Sequence, residues 1–155
     1  MRKKNLIAGV DEVGRGCLAG PVFSAAVILN NNINTNVIKD SKKINFKKRI
    51  LIADYIKKNS IFSVGIASVK EIDKINILNA SLLSMKRAID KLKIKPTLVY
   101  IDGIFIPKDI NFKCKTFIKG DENIPCISAA SIIAKVSRDI FMIKLANKYT
   151  KYNWH

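Results

Sequence analysis

Short apolar runs separated by turns open the chain, and longer segments with apolar residues at helical spacing follow. Residues 6–13 and 21–29 are apolar enough for buried strands, and the glycine-rich connection at 14–20 predicts that they form a hairpin. The pattern thus favours a sheet that begins with adjacent antiparallel strands. Three further strands are predicted at residues 61–69, 97–101 and, from a weaker pattern, 111–118.

Three segments carry the apolar spacing of amphipathic helices. Asn45 is a candidate N-cap for the first, and Pro96 lies just beyond the end of the second. An asparagine-rich stretch, residues 30–36, predicts a solvated loop. Strands joined first by turns and then by helices predict an α/β fold, with a mixed five-stranded sheet flanked by helices and its first three strands antiparallel. The helices are predicted over residues 46–58, 70–92 and about 124–149.

Composition indicates a single globular domain over residues 1–155. Hydrophobic residues make up 48% of the chain, and no apolar stretch approaches the roughly 20 residues of a membrane-spanning helix. The apolar run after the basic N-terminus is too short for the core of a signal peptide, so we expect a cytoplasmic protein. The wide spacing of Cys17, Cys114 and Cys126 argues against a disulfide framework or a zinc site.

The net charge of +16 is the compositional feature with the clearest bearing on partners. Such an excess of positive charge suggests a polyanion, and nucleic acid in particular. However, the chain holds 26 Ile, 23 Lys and 14 Asn against 5 Arg, and the three abundant residues all have A/T-rich codons. A genome rich in A and T would raise the lysine content without any selection for binding. The charge therefore supports nucleic-acid binding without establishing it.

The most informative polar pattern is Asp11-Glu12, followed at once by Gly14-Arg15-Gly16, at the end of the first predicted strand. Acids at the end of a buried strand are costly unless a charge such as a divalent cation offsets them, and glycines let the backbone turn and approach a ligand. This predicts a metal site beside a backbone-recognition loop, with an ordinary turn and solvated acids as the alternative. Adjacent strand residues face opposite ways, so the two acids share a site only if the strand bends or Glu12 reaches around.

Two further acids extend the pattern. Asp102 ends another apolar strand before a glycine, and ligands gather at strand ends in open α/β sheets, although Asp-Gly is commonly just a turn. Asp139 lies one helical turn beyond Lys135, where a simple ion pair is the alternative to a role in the site. Asp11, Glu12 and Asp102 are thus expected to meet at one edge of the sheet.

The motifs together resemble bacterial ribonuclease HII. The run at residues 9–22 reads Gly-Val-Asp-Glu-Val-Gly-Arg-Gly-Cys-Leu-Ala-Gly-Pro-Val and is very similar to that family's signature. Three more blocks follow in the family's order, so the resemblance covers almost the whole chain. They are Asp40-Ser41-Lys42-Lys43, Tyr100-Ile101-Asp102-Gly103, and Lys119-Gly120-Asp121 with the run at 127–139.

The resemblance implies a ribonuclease H-like fold and a metal-dependent endonuclease. The expected reaction is two-metal-ion cleavage of the RNA strand in RNA–DNA hybrids, and of ribonucleotides embedded in DNA, by a monomer that uses Mg²⁺ or Mn²⁺. The resemblance also implies that Asp11, Glu12 and Asp102 are the metal ligands and that Asp139 is the fourth active-site acid. Expected substrate contacts are the ribose-reading loop Gly14, Arg15 and Gly16, the phosphate-binding Lys42, Lys43, Lys119 and Lys135, and the hydroxyls of Ser128 or Ser131.

Two departures from the family pattern bear on this expectation. Cys17 stands where the family usually has proline, which should loosen the loop slightly. The sequence stops at His155, before the family's Lys-Gly-Tyr block and C-terminal helical region, and the tyrosine of that block stacks on the junction nucleotide. Junction specificity is therefore expected to be weaker. The alternatives are a catalytically impaired hybrid-binding protein and a related nuclease that acts on DNA.

Overall fold

The computed structural model describes residues 6–17, 19–39 and 45–150. Five strands form one sheet in the spatial order β3-β2-β1-β4-β5, so the first strand lies at its centre. The first three strands pair antiparallel, and β4 and β5 join them in parallel. The mixed five-stranded sheet is as predicted. The strands are β1 (Ile7–Val13), β2 (Val22–Leu29), β3 (Ser60–Ala67), β4 (Leu98–Asp102) and β5 (Lys113–Phe117).

Helices cover both faces of the sheet and create two apolar cores. One core lies against the longest helix and includes Ile133 and Val136, while the other lies against the middle helix and includes Met85 and Ile89. Central strand residues alternate between the two, as a sheet buried on both faces requires. No helix in the described ranges is both long and apolar enough to cross a membrane. The helices are α1 (Thr35–Lys39), α2 (Phe46–Lys58), α3 (Val69–Asp90), α4 (Gly120–Asn123) and α5 (Pro125–Lys148).

The predicted helix boundaries hold closely, but the sequence pattern missed three local features. Asn45 caps α2 as expected, its side chain accepting a hydrogen bond from the Lys48 N–H. The short helices α1 and α4 were not predicted, because four or five residues carry no readable periodicity. Within α3, Asn76 has non-helical torsions (φ 68°, ψ 167°), and its side chain accepts a hydrogen bond from Asn79 N–H at the start of the second part of the helix.

A charged cluster holds the start of α3 against the end of β3. Ser68 and Glu71 form a capping box, in which each side chain accepts a hydrogen bond from the other residue's backbone N–H. Arg87 binds both carboxylate oxygens of Glu71, at 2.6 and 2.9 Å, and donates a third hydrogen bond to the carbonyl of Ile66. We refer to Glu71, Arg87 and Ile66 as the Glu71–Arg87 junction.

Candidate active site

Strand β1 presents Asp11 and Glu12 to opposite faces of the sheet. Asp11 is 5% exposed and faces α5, where the Ser131 side chain hydrogen-bonds to it. Glu12 faces α3 and lines a cavity of about 110 Å³ together with Leu78 and Met85 of that helix. The backbone N–H of Glu12 donates to Oδ1 of Asp11 at 2.7 Å. The strand thus keeps its regular alternation, and the two acids lie on opposite faces of it while the charge of Glu12 still acts on Asp11.

Asp102, at the carboxyl end of β4, completes this group. It lines the same cavity as Glu12. Its Oδ1 atom accepts hydrogen bonds from the backbone N–H groups of Gly120, at 2.7 Å, and Asp121, at 3.4 Å. Parallel pairing of β1 with β4 brings the two strand ends to one edge of the sheet. We call Asp11, Glu12 and Asp102 the acidic edge.

The electrostatics of the acidic edge suit a cation. Burial raises the pKa of Asp11 well above its ordinary value, and the negative charges of Glu12 and Asp102 raise it further, against opposing hydrogen bonds from Ser131 and the Glu12 N–H. Oε2 of Glu12 is buried and has no hydrogen-bond partner in the part of the chain that the structure describes. A buried carboxylate oxygen without a partner is costly, and a hard divalent cation would relieve that cost.

The acids are close without forming a finished metal cage. Across residues 6–17, 19–39 and 45–150, no three acidic, cysteine or histidine side chains converge into a metal-binding cluster. Strand alternation accounts for this arrangement at the acidic edge, because Asp11 and Glu12 leave β1 on different faces. Of the three cysteines, Cys126 is half-buried, and this partial burial raises the pKa of its thiol to about 11. All three cysteines are free thiols, which agrees with the expectation of no disulfide framework.

A polar cleft of about 240 Å³ lies beside the acidic edge, on the α5 side. Cations from three elements line it, namely Lys39, Arg49 and Lys135. Ser131 lies in this cleft and also bonds to Asp11, so the cleft adjoins the acidic edge. The predicted phosphate contact Ser128 also lines the cleft, but its hydroxyl donates to the backbone carbonyl of Asp121 at 2.5 Å.

The remaining predicted residues lie in different environments. Asp139 forms ion pairs with Lys135, at 2.9 Å, and with Arg49, at 3.8 Å, so the simple ion pair considered from the sequence is present. Lys119 is exposed at the start of α4, next to the amides that bind Asp102. Lys42 and Lys43 lie outside the described residues.

The Gly14-Arg15-Gly16 loop leaves the acidic edge directly after β1. Gly14 is buried with a left-handed φ of 110°, a conformation that favours glycine. Gly16 is exposed and is not in that region, and a methyl group built on it would meet no atom within 4 Å. The position in the loop that requires glycine is therefore Gly14, whereas the space beside Gly16 is open. Arg15 is exposed and forms an ion pair with Glu12 at 3.4 Å.

Three residues of this region were not singled out from the sequence. Asp121 lines the cleft, and its N–H contacts Asp102. Arg49 lines the same cleft from α2. Arg138 is buried under the glycine loop. Asp121 and Arg138 stand inside the quoted motif blocks, so the motifs contained a signal for them. Arg49 carried none, because only the tertiary packing of α2 against α5 brings it to the cleft.

Comparison with known proteins agrees with this arrangement. The ribonuclease HII family model matches residues 8–155. The chain belongs to the ribonuclease HII family. Ribonuclease HII of Pelagibacter ubique is 62% identical over 149 residues, which cover 96% of this chain and 80% of that protein. Ribonuclease HII of Coxiella burnetii is 49% identical, with 96% of this chain and 74% of that protein covered. The chain is accordingly an enzyme of the ribonuclease H class, a metal-dependent endonuclease family that acts on RNA–DNA hybrids.

Solved structures confirm the ribonuclease H-like fold. The ribonuclease H2 of Pyrococcus horikoshii superposes with a TM-score of 0.79 at 29% identity, covering 92% of this chain and 76% of that one. A Bst-RNase HIII solved in complex with Mn²⁺ superposes with a TM-score of 0.76 at 20% identity, covering 92% of this chain and 55% of that one. At this lower identity the likeness supports the fold alone.

Proposed function

We propose that this protein hydrolyses the RNA strand of RNA–DNA hybrids, and also cuts at ribonucleotides embedded in DNA, with two divalent cations at the acidic edge. The observation that carries the proposal is the buried, unpartnered Oε2 of Glu12 in the cavity that Asp102 also lines, beside a buried Asp11 whose pKa is raised. An acidic group of this kind at a strand end is suited to binding a cation and costly without one.

Asp11, Glu12 and Asp102 would hold the metal. Their donors are all carboxylate oxygens, which suits Mg²⁺ or Mn²⁺. When bound, a pair of such ions would stabilise the attacking and leaving oxygens of phosphodiester hydrolysis. The protein's own contribution is to orient these oxygens: the Gly120 N–H fixes one oxygen of Asp102, and the Ser131 side chain and the Glu12 N–H fix Asp11.

The fourth active-site acid has two candidates. The family resemblance suggested Asp139, but Arg49 and Lys135 already balance its charge. Asp121 follows Gly120 directly, its backbone contacts Asp102, and it lines the cleft beside the acidic edge. The geometry therefore favours Asp121 as the fourth acid and gives Asp139 the role of orienting Lys135 in the cleft.

The substrate would lie across the cleft and the glycine loop. Lys135, Lys39 and Arg49 present positive charge to a phosphate backbone, and we extend this role to Lys42, Lys43 and Lys119 as sequence-based proposals. The open space at Gly16 lets the loop backbone approach a ribose 2′-hydroxyl, the group that distinguishes RNA from DNA. Ser128 and Ser131 remain proposed phosphate contacts, but each already has a partner in this structure: the Ser128 hydroxyl donates to the Asp121 carbonyl, and the Ser131 side chain bonds to Asp11. We also propose a single catalytic domain that acts as a cytoplasmic monomer.

A cleavage assay with three substrates tests this function. The substrates are an RNA–DNA hybrid, a DNA duplex with one embedded ribonucleotide, and the same duplex made entirely of DNA, each with Mg²⁺, with Mn²⁺ and with EDTA. We expect metal-dependent cleavage of the first two substrates and none of the third. Binding of hybrid without cleavage would favour an impaired hybrid-binding protein, and cleavage of the all-DNA duplex would favour a DNA nuclease. Size-exclusion chromatography checks the monomer.

A further inference from the structure

Arg138 is a buried arginine of α5 that binds the β1–β2 connection. The residue is only 5% exposed. Its Nε donates to the carbonyl of Pro21 at 3.0 Å, and one terminal nitrogen donates to the carbonyl of Ala19 at 2.7 Å. The guanidinium thus holds the end of the connection that leads into β2, and it reaches this segment from a helix more than a hundred residues away in the chain.

The start of the connection also packs against this guanidinium. A methyl group added at Gly14 would lie 2.8 Å from Nε of Arg138, and one added at Gly20 would lie 3.2 Å from its terminal nitrogen. Both glycines have positive φ, at 110° and 90°. Glycine is therefore needed at both positions for two reasons, the backbone conformation and the lack of space. Arg138 fills that space at Gly14, and at Gly20 it is filled chiefly by Met142, whose Sδ atom would lie 2.6 Å from the added methyl group. Gly14-Arg15-Gly16 begins at this contact.

From these contacts we infer that Arg138 is a positioning residue that fixes the Gly14-Arg15-Gly16 loop relative to α5. The same helix carries Ser131, which bonds to Asp11, and Lys135, which lines the cleft. A single helix therefore sets the spacing between the loop, the acidic edge and the phosphate-binding cleft. The inference rests on the proposed role of the loop in reading ribose, and it adds a residue that does not itself touch substrate.

Arg87 supplies a matched comparison. It too is an arginine that donates to a backbone carbonyl, that of Ile66, but it lies at the junction of β3 and α3 and its charge is balanced by Glu71. A purely structural arginine is expected to behave like Arg87, so that its loss lowers stability and leaves substrate discrimination unchanged. A positioning arginine must also change how well the loop distinguishes a hybrid from a DNA duplex.

The test compares Arg138→Gln, Arg138→Lys and the control Arg87→Gln, all assayed at temperatures where each variant is folded. Arg138→Gln removes the two hydrogen bonds to the Ala19 and Pro21 carbonyls and the packing against Gly14, which should raise KM for hybrid by about tenfold, with a smaller change in kcat, and reduce the preference for hybrid over a DNA competitor. Arg138→Lys keeps the positive charge but only one donor nitrogen in place of two, so it should recover part of the preference. Arg87→Gln should leave both KM and the preference unchanged.

A double-variant cycle links the effect to the loop. Gly16→Ala meets no protein atom, so its effect on KM should come from the substrate's approach. If Arg138 acts through the loop, Arg138→Gln and Gly16→Ala together should cost less than the product of their separate effects. Independent effects of the two variants, or an unchanged KM and preference in folded Arg138→Gln, would overturn the inference.

Hydrogen exchange separates this inference from the proposed function. Arg138→Gln should speed exchange of the backbone amides at residues 14–17, 19 and 20 of the connection, including the Cys17 N–H that donates to the Gly14 carbonyl, while amides in β1 and β2 keep their protection. This measurement needs no substrate or metal. A wild-type protein that fails to cleave hybrid would refute the proposed function, whereas unchanged exchange in the connection would refute the positioning role of Arg138.

Discussion

The acidic edge and the Glu71–Arg87 junction are two clusters that place carboxylates in opposite electrostatic environments. In the first, burial and neighbouring negative charges raise the pKa of Asp11. In the second, two hydrogen bonds from Arg87, assisted by the Ser68 N–H, lower the pKa of Glu71 to about 2. Both clusters lie where a strand meets the following segment. They differ in what balances the negative charge: at the junction Arg87 pairs with Glu71, whereas at the acidic edge the exposed Arg15 pairs with Glu12, and no cationic side chain is among the described groups that shift the pKa of Asp11.

This difference distinguishes a carboxylate that stabilises the fold from one that is a candidate metal ligand. Glu71 gains a partner on folding, so its charge helps to hold α3 against β3. Asp11 loses hydrating water on folding, and the hydrogen bonds that it gains do not offset that loss. Its negative charge therefore destabilises the folded state unless a cation binds. An acid that the fold leaves in this state is a candidate for metal binding, and an acid paired within the fold is a candidate for stability.

The largest expected effect comes from Asp11→Asn. Loss of this proposed metal ligand should reduce hybrid cleavage by about 10³-fold, which corresponds to about 4 kcal/mol of transition-state stabilisation. Divalent cation at 100 times its dissociation constant should stabilise the wild type by about 2.7 kcal/mol, and Asp11→Asn should lose most of this gain. Cleavage rates and melting curves with Mg²⁺, Mn²⁺ or EDTA provide the measurements.

The same variant should not destabilise the protein in EDTA. An acid with a raised folded pKa costs nothing at pH values well below its ordinary pKa and becomes a growing penalty as pH rises through that range. Asp11→Asn removes this penalty, so its melting temperature in EDTA at neutral pH should equal or exceed that of the wild type. Glu71→Gln is the matched control and should keep full cleavage and full stabilisation by metal. If metal stabilised Asp11→Asn as much as the wild type, the metal would bind at a site that does not include Asp11.

An intermediate effect should distinguish Asp121 from Asp139. If the fourth acid is Asp121, Asp121→Asn should lower kcat by about 10²-fold or more. Asp139 is paired with two cations, as Glu71 is paired with Arg87, so Asp139→Asn should lower kcat by less than about tenfold. Steady-state kinetics on a hybrid, with KM and kcat resolved, decides between them. The reverse order of effects would restore Asp139 as the catalytic acid.

The smallest effect is the pH dependence contributed by Glu71. Its pKa falls from an ordinary 4.5 to about 2 in the folded protein, so its contribution to stability is complete above pH 4.5 and is lost as pH falls through about 2. Glu71→Gln should be less stable than the wild type at pH 6, and this difference should shrink towards pH 2. Urea unfolding across this range measures it. A constant difference at all pH values would mean that the charge of Glu71 does not stabilise the junction.

The fold was largely predictable because its strands and long helices carry strong periodic patterns. The boundaries of α2 match the prediction. Strand β1 begins one residue later than predicted, and α5 is one residue shorter at each end. The break at Asn76 escaped prediction because the apolar spacing of α3 continues across it. The third strand runs from Ser60 to Ala67 rather than 61–69, since Ser68 serves as the N-cap of α3. A boundary of this kind depends on which partner a polar side chain finds.

The sequence by itself determined the chemistry that this protein carries: the acids at two strand ends, the glycine loop between β1 and β2, and the motif blocks of ribonuclease HII. Those features are local, because a strand followed by an acid and a glycine can be recognised within a few residues. Tertiary structure alone decided which groups meet. Only packing shows that Asp11 and Glu12 lie on opposite faces, that Asp139 pairs with Arg49, and that Arg138 binds the end of the β1–β2 connection. Contacts between residues far apart in the chain leave no periodic trace in one sequence, because they depend on how whole elements pack.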